Sequence, residues 1–253
     1  MGSIIEVFPG KRGAGRRSRV ASAWRGAPVP AIGAVRVRGA KLEDYAAIRA
    51  LQRVSNPGLP EWTLKQFESH RNAFPEGQLV AIADGEVAGA ASSLVLRWDD
   101  YALDNTWKSV TGDGFFTTHD TAGRTLYGTD VVVDVSRRGA GIARAIYQAQ
   151  RKLCRKLNLR RIISAARLPG YHAVSGEMTP EIYAQRVIWG DIEDTSLRFP
   201  MSQGFQFCGI IRGYLPEDRE SAGNAALVVW LNPLYSPTEP PANVVTERPR
   251  KCA

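Results

Sequence analysis

The sequence predicts an α/β protein, built on a mixed β-sheet with helices on both faces. Its segments follow the order strand, two helices, hairpin, strand, helix, strand and two terminal strands. A β-branched strand over Leu126–Val135 leads through a glycine-rich turn into a helix over Gly141–Leu157 with one apolar stripe. Two further apolar segments, Gln78–Ala83 and Val87–Leu96, flank the turn Asp84-Gly85-Glu86, a pattern typical of a β-hairpin.

The elements before this strand follow from residue spacing. Ala34–Arg38 alternates as a short strand does. Leu42–Val54 carries apolar residues near helical spacing, and Thr63–Asn72 opens with a residue type favoured at helix N-termini. Trp98–Thr125 is polar, aromatic and rich in glycine, which indicates a long structured loop or a hairpin extension.

The elements after the glycine-rich turn are shorter. Arg161–Ala166 is predicted as the next strand. Leu168–Ser196 is irregular and is expected to hold one helix over Pro180–Ile188. Gln206–Ile211 and Ala225–Leu231 are predicted as the two terminal strands.

Charge divides the chain into three regions. The net charge is +8, of which residues 1–34 carry +5 and residues 234–253 carry +1. We therefore expect a flexible basic arm over 1–34, one domain over 35–233 and a proline-rich tail over 234–253. The arm also resembles an organelle transit peptide in its arginine content, and a non-specific phosphate-binding role for it stays open. With so little net charge left for the domain, nucleic acid is not an expected partner.

The remaining composition favours a reducing, cytoplasmic setting. No apolar run approaches the roughly 20 residues that span a bilayer, so no membrane partner is expected. The three cysteines show no CxxC spacing, so neither a disulfide framework nor a metal site is expected. The oligomeric state stays open, with a homodimer as one option.

The turn between the β-branched strand and the following helix is suited to bind an anion. Gly139, Ala140 and Gly141 place little or no Cβ in the way of a ligand, and the first N–H groups of the helix have no partner within it. From Arg137 to Arg161 there are nine Lys or Arg residues and no acid, which favours a multiply anionic ligand.

The spacing Arg-x-x-Gly-x-Ala at Arg138–Ala143 resembles the coenzyme A signature of the GNAT superfamily of N-acetyltransferases. An ordinary glycine-rich turn is the alternative. The resemblance implies the GNAT fold with a splayed central sheet, and acetyl-CoA or another acyl-CoA as co-substrate. It further implies a donor site formed by Val133, Val135, Arg137, Arg138, Gly139, Ala140, Gly141, Ile142, Ala143 and Arg144.

Other segments are similar to one GNAT subgroup, in which bacterial proteins join this domain to a carbon–nitrogen hydrolase domain. They include Thr111-Gly112-Asp113-Gly114-Phe115, Arg167-Leu168-Pro169-Gly170-Tyr171-His172 and Gly213-Tyr214-Leu215-Pro216. The similarity runs from about residue 35 to Pro233. We therefore expect the acyltransferase half alone, without the hydrolase.

The candidate catalytic residues lie on several separate segments. Asp130 lies eight residues before Arg138, where many GNAT enzymes place an acid that accepts the amine proton, although a structural carboxylate is an equal alternative. Pro200 stands where many members have the tyrosine that protonates the thiolate. His119, Tyr171 and Tyr183 are therefore further candidates, each with a structural alternative, as is Tyr214.

Two more residues are candidates for acceptor binding. Arg167 ends the strand beside the splay, where it could pair with an acceptor carboxylate or form a surface ion pair. His172 lies in a segment expected to border the acceptor cleft. The resulting hypothesis is transfer of acetyl from acetyl-CoA to a primary amine of a small molecule. A catalytically weak CoA-binding module and a protein-lysine acetyltransferase are the alternatives.

Overall fold

The computed structural model describes residues 33–98, 105–239 and 241. Within them, seven strands form one sheet in the order β1-β2-β3-β4-β5-β7-β6. Neighbouring strands are antiparallel except β4 and β5, which are parallel. The strands are β1 (Arg36–Gly39), β2 (Leu79–Ala83), β3 (Glu86–Leu96), β4 (Thr125–Val133), β5 (Arg161–Arg167), β6 (Gln206–Ile211) and β7 (Ala225–Leu231).

Helices cover both faces of this sheet, as expected for the predicted mixed α/β class. Ile48 and Phe67 pack against Val132 on one side, which we call the α1 face. Ile142 and Ile146 pack with Val131 on the opposite side, the α4 face. The helices are α1 (Tyr45–Ser55), α2 (Leu64–Ala73), α3 (Trp107–Thr111), α4 (Ile142–Lys156), α5 (Pro180–Trp189) and α6 (Thr195–Ser202). None among the described residues is long and apolar enough to cross a bilayer.

The two parallel strands separate partway along their length. Their register joins Thr125–Gly128 to Arg161–Ser164 and ends there. Beyond this point β4 stays paired with β3 as far as Val133, while β5 stays paired with β7 as far as Arg167. Residues 129–133 and 165–167 therefore border a V-shaped gap, which we call the opening. The splayed sheet implied by the resemblance is thus present.

A β-bulge lies at the root of the opening. In the β3–β4 register Asp130 is opposite Ser92, whereas Gly128 is opposite Ser93, so Thr129 is an extra residue. Its hydroxyl donates to the Ser92 carbonyl oxygen at 3.0 Å. The bulge shifts the alternation of β4 by one residue, which decides which side chains share a face beside the opening.

Most element positions match the sequence expectations, and one difference matters for the site. The predicted strand over Leu126–Val135 ends at Val133, and the expected strand position of Val135 is wrong. Asp134 turns the chain by accepting a hydrogen bond from the N–H of Ser136 at 2.9 Å, and Val135–Arg137 form a 3₁₀ turn. Val135 is consequently exposed and off the strand edge.

Two helices lie where the sequence analysis expects none. α3 stands inside the predicted long loop, with Thr106 capping it through the N–H of Ser109. α6 has Asp194 as its N-cap and contains Pro200. The C-terminal segment from Leu234 to Glu239, expected to belong to a tail, is hydrogen-bonded to the domain through Asn158. Residues 1–32 of the expected arm, and residues 240 and 242–253 of the expected tail, lie outside the described residues.

Candidate active site at the opening between β4 and β5

The turn before α4 presents backbone N–H groups at the end of β4. Gly139 and Gly141 adopt positive φ angles of 85° and 84°, which residues with a Cβ rarely adopt. Gly141 is the N-cap of α4 and supplies no side chain to the first helical N–H groups. Among the described residues, and leaving aside the two chain neighbours, no atom lies within 4 Å of a Cβ built at Gly141. The N-terminus of α4 therefore opens into free space, where its N–H groups and dipole favour an anion.

The arginines around this turn have different roles. Arg138 and Arg144 are exposed and flank the N-terminus of α4. Arg137, predicted as a donor-site residue, instead reaches back to the β2–β3 hairpin. Its guanidinium donates to the Ala83 carbonyl oxygen at 3.0 Å and to Glu86 at 2.6 Å. These contacts give Arg137 a structural role that anchors the turn to the sheet.

The end of β4 directs backbone polar groups into the opening. The N–H of Asp134 donates to the Ala88 carbonyl oxygen on β3 at 2.9 Å. Because successive residues of a strand direct their polar groups to opposite sides, those of Val133 point away from β3. The Val133 carbonyl oxygen accepts a hydrogen bond from Ser55 Oγ at 3.0 Å. Its N–H faces the opening, where the β4–β5 register has already ended.

Asp130 is the carboxylate of the opening and lies on the α1 face. Its Oδ2 accepts a hydrogen bond from Gln52 Nε2 at 2.8 Å. Burial raises the pKa of Asp130, and the hydrogen bond from Gln52 and the charge of Arg167 oppose that rise only in part. A carboxylate with a raised pKa is a better proton acceptor than an ordinary surface aspartate.

Arg167 closes the β5 side of the opening through ion pairs. It is bidentate to Asp218, with Nε–Oδ2 and Nη2–Oδ1 distances of 2.7 Å, and it also contacts Glu220 at 2.9 Å. Its Nη1 donates to Asn56 Oδ1 at 3.1 Å. The guanidinium is thus engaged within the chain, which disfavours the predicted pairing with an acceptor carboxylate. Arg167 instead ties the β6–β7 connection to the end of β5.

A pair of tyrosines lies next to Asp130, and the sequence alone does not bring them together. The hydroxyls of Tyr127 and Tyr214 are 2.6 Å apart and both side chains are buried. Trp98 stacks on the Tyr127 ring. Burial raises the pKa of Tyr214, and Tyr127 and Asp130 raise it further. The β3–β4 register sets Tyr127 opposite Leu94 and Asp130 opposite Ser92, so the tyrosine pair and the carboxylate share one face of the sheet.

Tyr171 and Tyr183, both predicted as catalytic, have hydroxyls that already hold partners. Tyr171 donates to the Met178 carbonyl oxygen at 3.2 Å, and Tyr183 donates to Asp194 Oδ2 at 2.9 Å. The two rings pack edge to face inside the core beneath α5. These contacts favour structural roles for both residues.

The two histidines differ in position. His119 Nδ1 accepts a hydrogen bond from the N–H of Val95, which pairs with Leu126 near the start of β4. This is the end of the strand remote from the opening, and the position argues against the predicted catalytic role of His119. His172 is exposed, and its N–H donates to the Glu220 carbonyl oxygen at 2.9 Å. It therefore borders the β6–β7 connection, and its role on the acceptor side stays a prediction.

Comparison with known protein families and structures is consistent with this geometry. A sequence profile described as the acetyltransferase (GNAT) family matches residues 45–175. Probable hydrolase YhcX of Bacillus subtilis (strain 168) is 36% identical over 203 residues, which cover 80% of this chain and 40% of that protein. The chain thus spans well under half of that relative.

A second relative and a solved structure cover the domain more completely. Uncharacterized N-acetyltransferase YkwB of Bacillus subtilis (strain 168) is 30% identical over 174 residues, or 69% of this chain and 76% of that protein. The structure of the GphF GNAT-like decarboxylase in complex with isobutyryl-CoA superimposes with a TM-score of 0.66 at 20% identity. It covers 78% of this chain and 99% of the other, so the two share a fold.

Proposed function

Since this chain belongs to the GNAT acetyltransferase family, we propose that it transfers acetyl from acetyl-CoA to a primary amine of a small molecule. The observation that carries the proposal is the glycine turn of Gly139 and Gly141, which opens the N-terminus of a basic helix at the end of a splayed strand. A pyrophosphate fits such a turn because helix N–H groups and the helix dipole both favour it.

On the donor side we propose that the turn binds the pyrophosphate and that the opening takes the pantetheine arm. The exposed cations Arg138 and Arg144 add charge beside the turn. The N–H of Val133 faces the opening and can donate to the arm or to the thioester carbonyl. GphF was solved with isobutyryl-CoA, so an acyl group longer than acetyl stays compatible with the fold.

On the acceptor side we propose direct attack of a neutral amine on the thioester carbon. The C–N bond forms, the C–S bond breaks, and the amine proton passes to Asp130, whose pKa burial raises. The thiolate needs a proton in return. Tyr214 is the candidate donor, because its hydroxyl, which is hydrogen-bonded to that of Tyr127, carries a proton at neutral pH. The protonated Asp130 then returns its proton to the phenolate, so the net change is one proton from amine to thiol.

A CoA-binding module without turnover is the second candidate, and the observation that favours it is Pro200. This residue is buried inside α6 at the place where many family members carry a catalytic tyrosine. The hydrolase activity suggested by the name of the longer relative is not carried over to this chain, which spans 40% of its length.

The test combines acetyl-CoA binding with thiol release. Acetyl-CoA is expected to raise the unfolding temperature of the full chain, and a panel of small primary amines is expected to release free CoA thiol. Arg138→Glu should abolish the thermal shift. Arg160→Glu is the matched control, because it makes the same charge change at an exposed residue beyond the other end of α4.

Each outcome decides between the candidates. Equal binding of acetyl-CoA by wild type and Arg138→Glu would contradict the proposed pyrophosphate site. Binding without thiol release from any amine would favour the module. Thiol release with a lysine-containing peptide, but with no small amine, would favour a protein acceptor.

A further inference from the structure

The last turn of α1 bridges the two strands that separate at the opening. Gln52 Nε2 donates to Asp130 on β4 at 2.8 Å, and Ser55 Oγ donates to the Val133 carbonyl oxygen at 3.0 Å. One residue beyond the helix, Asn56 Oδ1 accepts from Arg167 on β5 at 3.1 Å. The end of this helix therefore contacts both β4 and β5, and it forms the wall of the opening on the α1 face.

The amide of Gln52 has a fixed orientation. Its Oε1 accepts a hydrogen bond from the N–H of Trp62 at 3.2 Å, so the amide nitrogen is the end that faces Asp130. Gln52 is only 5% exposed, which leaves no solvent to replace either partner. A reversed amide would place two acceptors together on one side and two donors on the other, at the cost of both hydrogen bonds.

We infer that Gln52 is a positioning residue for acyl transfer: it holds Oδ2 of Asp130, so that the other carboxylate oxygen faces the amine. The inference rests on the proposed function, in which Asp130 accepts the amine proton. Gln52 acts through Asp130 and need not touch the substrate. A hydrogen bond donated to the ionised carboxylate also favours that ionised form, which is the form a base requires.

Other described groups also face this carboxylate. Arg167 from β5 is the cation whose charge lowers the pKa of Asp130, and Tyr214 from the β6–β7 connection is the titratable group that Asp130 influences. Asn56 and the N–H of Val131 add neutral hydrogen bonds. Removing the Gln52 donor should therefore raise the pKa of Asp130 while Arg167 and Tyr214 stay in place.

The experiment compares Gln52→Leu and Gln52→Glu with wild type. The pH profile of kcat/KM is measured for acyl transfer, and the Asp130 carboxyl is titrated by ¹³C NMR in the free protein. Loss of one hydrogen bond to a charged group should raise two values by about one pH unit: the apparent pKa of the acidic limb of the pH profile and the pKa of the Asp130 carboxyl. Gln52→Glu keeps the side-chain shape but removes the donor and adds a like charge, so its shift should be at least as large.

Gln66→Leu is the matched control. Gln66 caps α2 and donates to the Asp113 carbonyl oxygen, away from Asp130. The Gln66→Leu variant should have a lower unfolding temperature than wild type but the same pH profile of kcat/KM. A uniform loss of kcat/KM in Gln52→Leu at every pH, with an unchanged Asp130 titration, would overturn the inference. If wild type releases no thiol with any amine, the proposed function fails, while the carboxyl titration still tests Gln52.

Discussion

Replacing Gly141 by alanine should weaken acetyl-CoA binding more than it weakens the fold. The residue has φ of 84°, and an alanine held in the left-handed region costs about 1–2 kcal/mol. For a domain of this size, that cost should lower the unfolding temperature by about 2–8 °C. The added Cβ would meet no atom of the non-adjacent described residues within 4 Å, so steric overlap with them adds nothing to this cost.

The effect on binding arises from the same open space. The Cβ that the alanine adds would stand where the proposed pyrophosphate approaches the helix N-terminus, and the strained turn would move the N–H groups. We expect the Kd for acetyl-CoA to rise at least about tenfold, or about 1.4 kcal/mol. Titration calorimetry measures the Kd, and thermal unfolding with and without acetyl-CoA measures the two stabilities.

Two further variants separate strain from obstruction. Gly141→Asn should lose less stability than alanine, because asparagine tolerates the left-handed region, yet its Cβ obstructs the turn equally. Gly176→Ala is the control, since Gly176 also has open space around it and no positive φ. If Gly141→Ala binds acetyl-CoA as tightly as wild type while losing the expected stability, the turn does not hold the pyrophosphate and the donor assignment fails.

Three further changes address the acceptor side. Asp130→Asn should lower kcat/KM by about 10²–10⁴-fold, measured by thiol release. The variant should be as stable as wild type at pH 7, because burial raises the pKa of this carboxyl and disfavours its charged form. Arg167→Ala should cost about 3 kcal/mol in denaturant unfolding, because it leaves the buried Asp218 without its partner. Burial raises the pKa of Asp218, but its hydrogen bonds outweigh burial and the net pKa is lowered. The stability that this ion pair contributes is therefore present above the pKa of the unfolded state, and it is lost as the pH falls through the pKa of the folded state. Unfolding of wild type should therefore show a loss of stability below about pH 3.8 that Arg167→Ala lacks. Tyr214→Phe should lower kcat, measured by stopped-flow thiol release, and should leave the Kd for acetyl-CoA unchanged. An unchanged kcat would indicate that solvent, and not Tyr214, protonates the thiolate.

The sequence locates the strand, turn and helix of the proposed donor site because these elements are local, although it wrongly keeps Val135 on the strand. A strand, a turn and a helix follow one another over residues 125–156, and the glycines and arginines that matter lie within seven positions of each other. Apolar spacing alone locates α4, whose buried residues Ile142, Ile146, Gln150 and Cys154 recur every four positions. Short-range patterns of this kind need no knowledge of tertiary contacts.

The acceptor half is not local, and residue patterns miss much of it. Simple alternation along β4 puts Tyr127 and Asp130 on opposite faces, because an odd number of positions separates them. The bulge at Thr129 reverses this. On β3, Leu94 and Ser92 lie on one face, and they are opposite Tyr127 and Asp130 respectively, so these two side chains share the α1 face.

Partner choice in the acceptor half also depends on distant segments. Nothing in the local sequence joins Tyr127 to Tyr214, or Gln52 to Asp130, which lie 87 and 78 residues apart. α6 is missed for a different reason. It contains Pro200, which removes a helical N–H, and the Asp194 cap that offsets this lies before a segment without clear apolar spacing.

The opening itself has a physical basis that links fold to binding. At the opening, β4 is hydrogen-bonded only to β3, and β5 only to β7. The backbone N–H and C=O groups that β4 and β5 direct into the opening therefore have no partner on another strand. A buried polar group without a hydrogen bond costs about 1–3 kcal/mol, so the gap is stable only where other groups satisfy it. Ser55 does this for the Val133 carbonyl oxygen, whereas the Val133 N–H faces the gap.

The amide groups of a pantetheine arm are complementary to such an edge, and for this reason acyl-CoA binding should stiffen β4. Hydrogen exchange of the Val133 amide should slow when acetyl-CoA is added, and an exchange rate that ligand leaves unchanged would place the arm elsewhere.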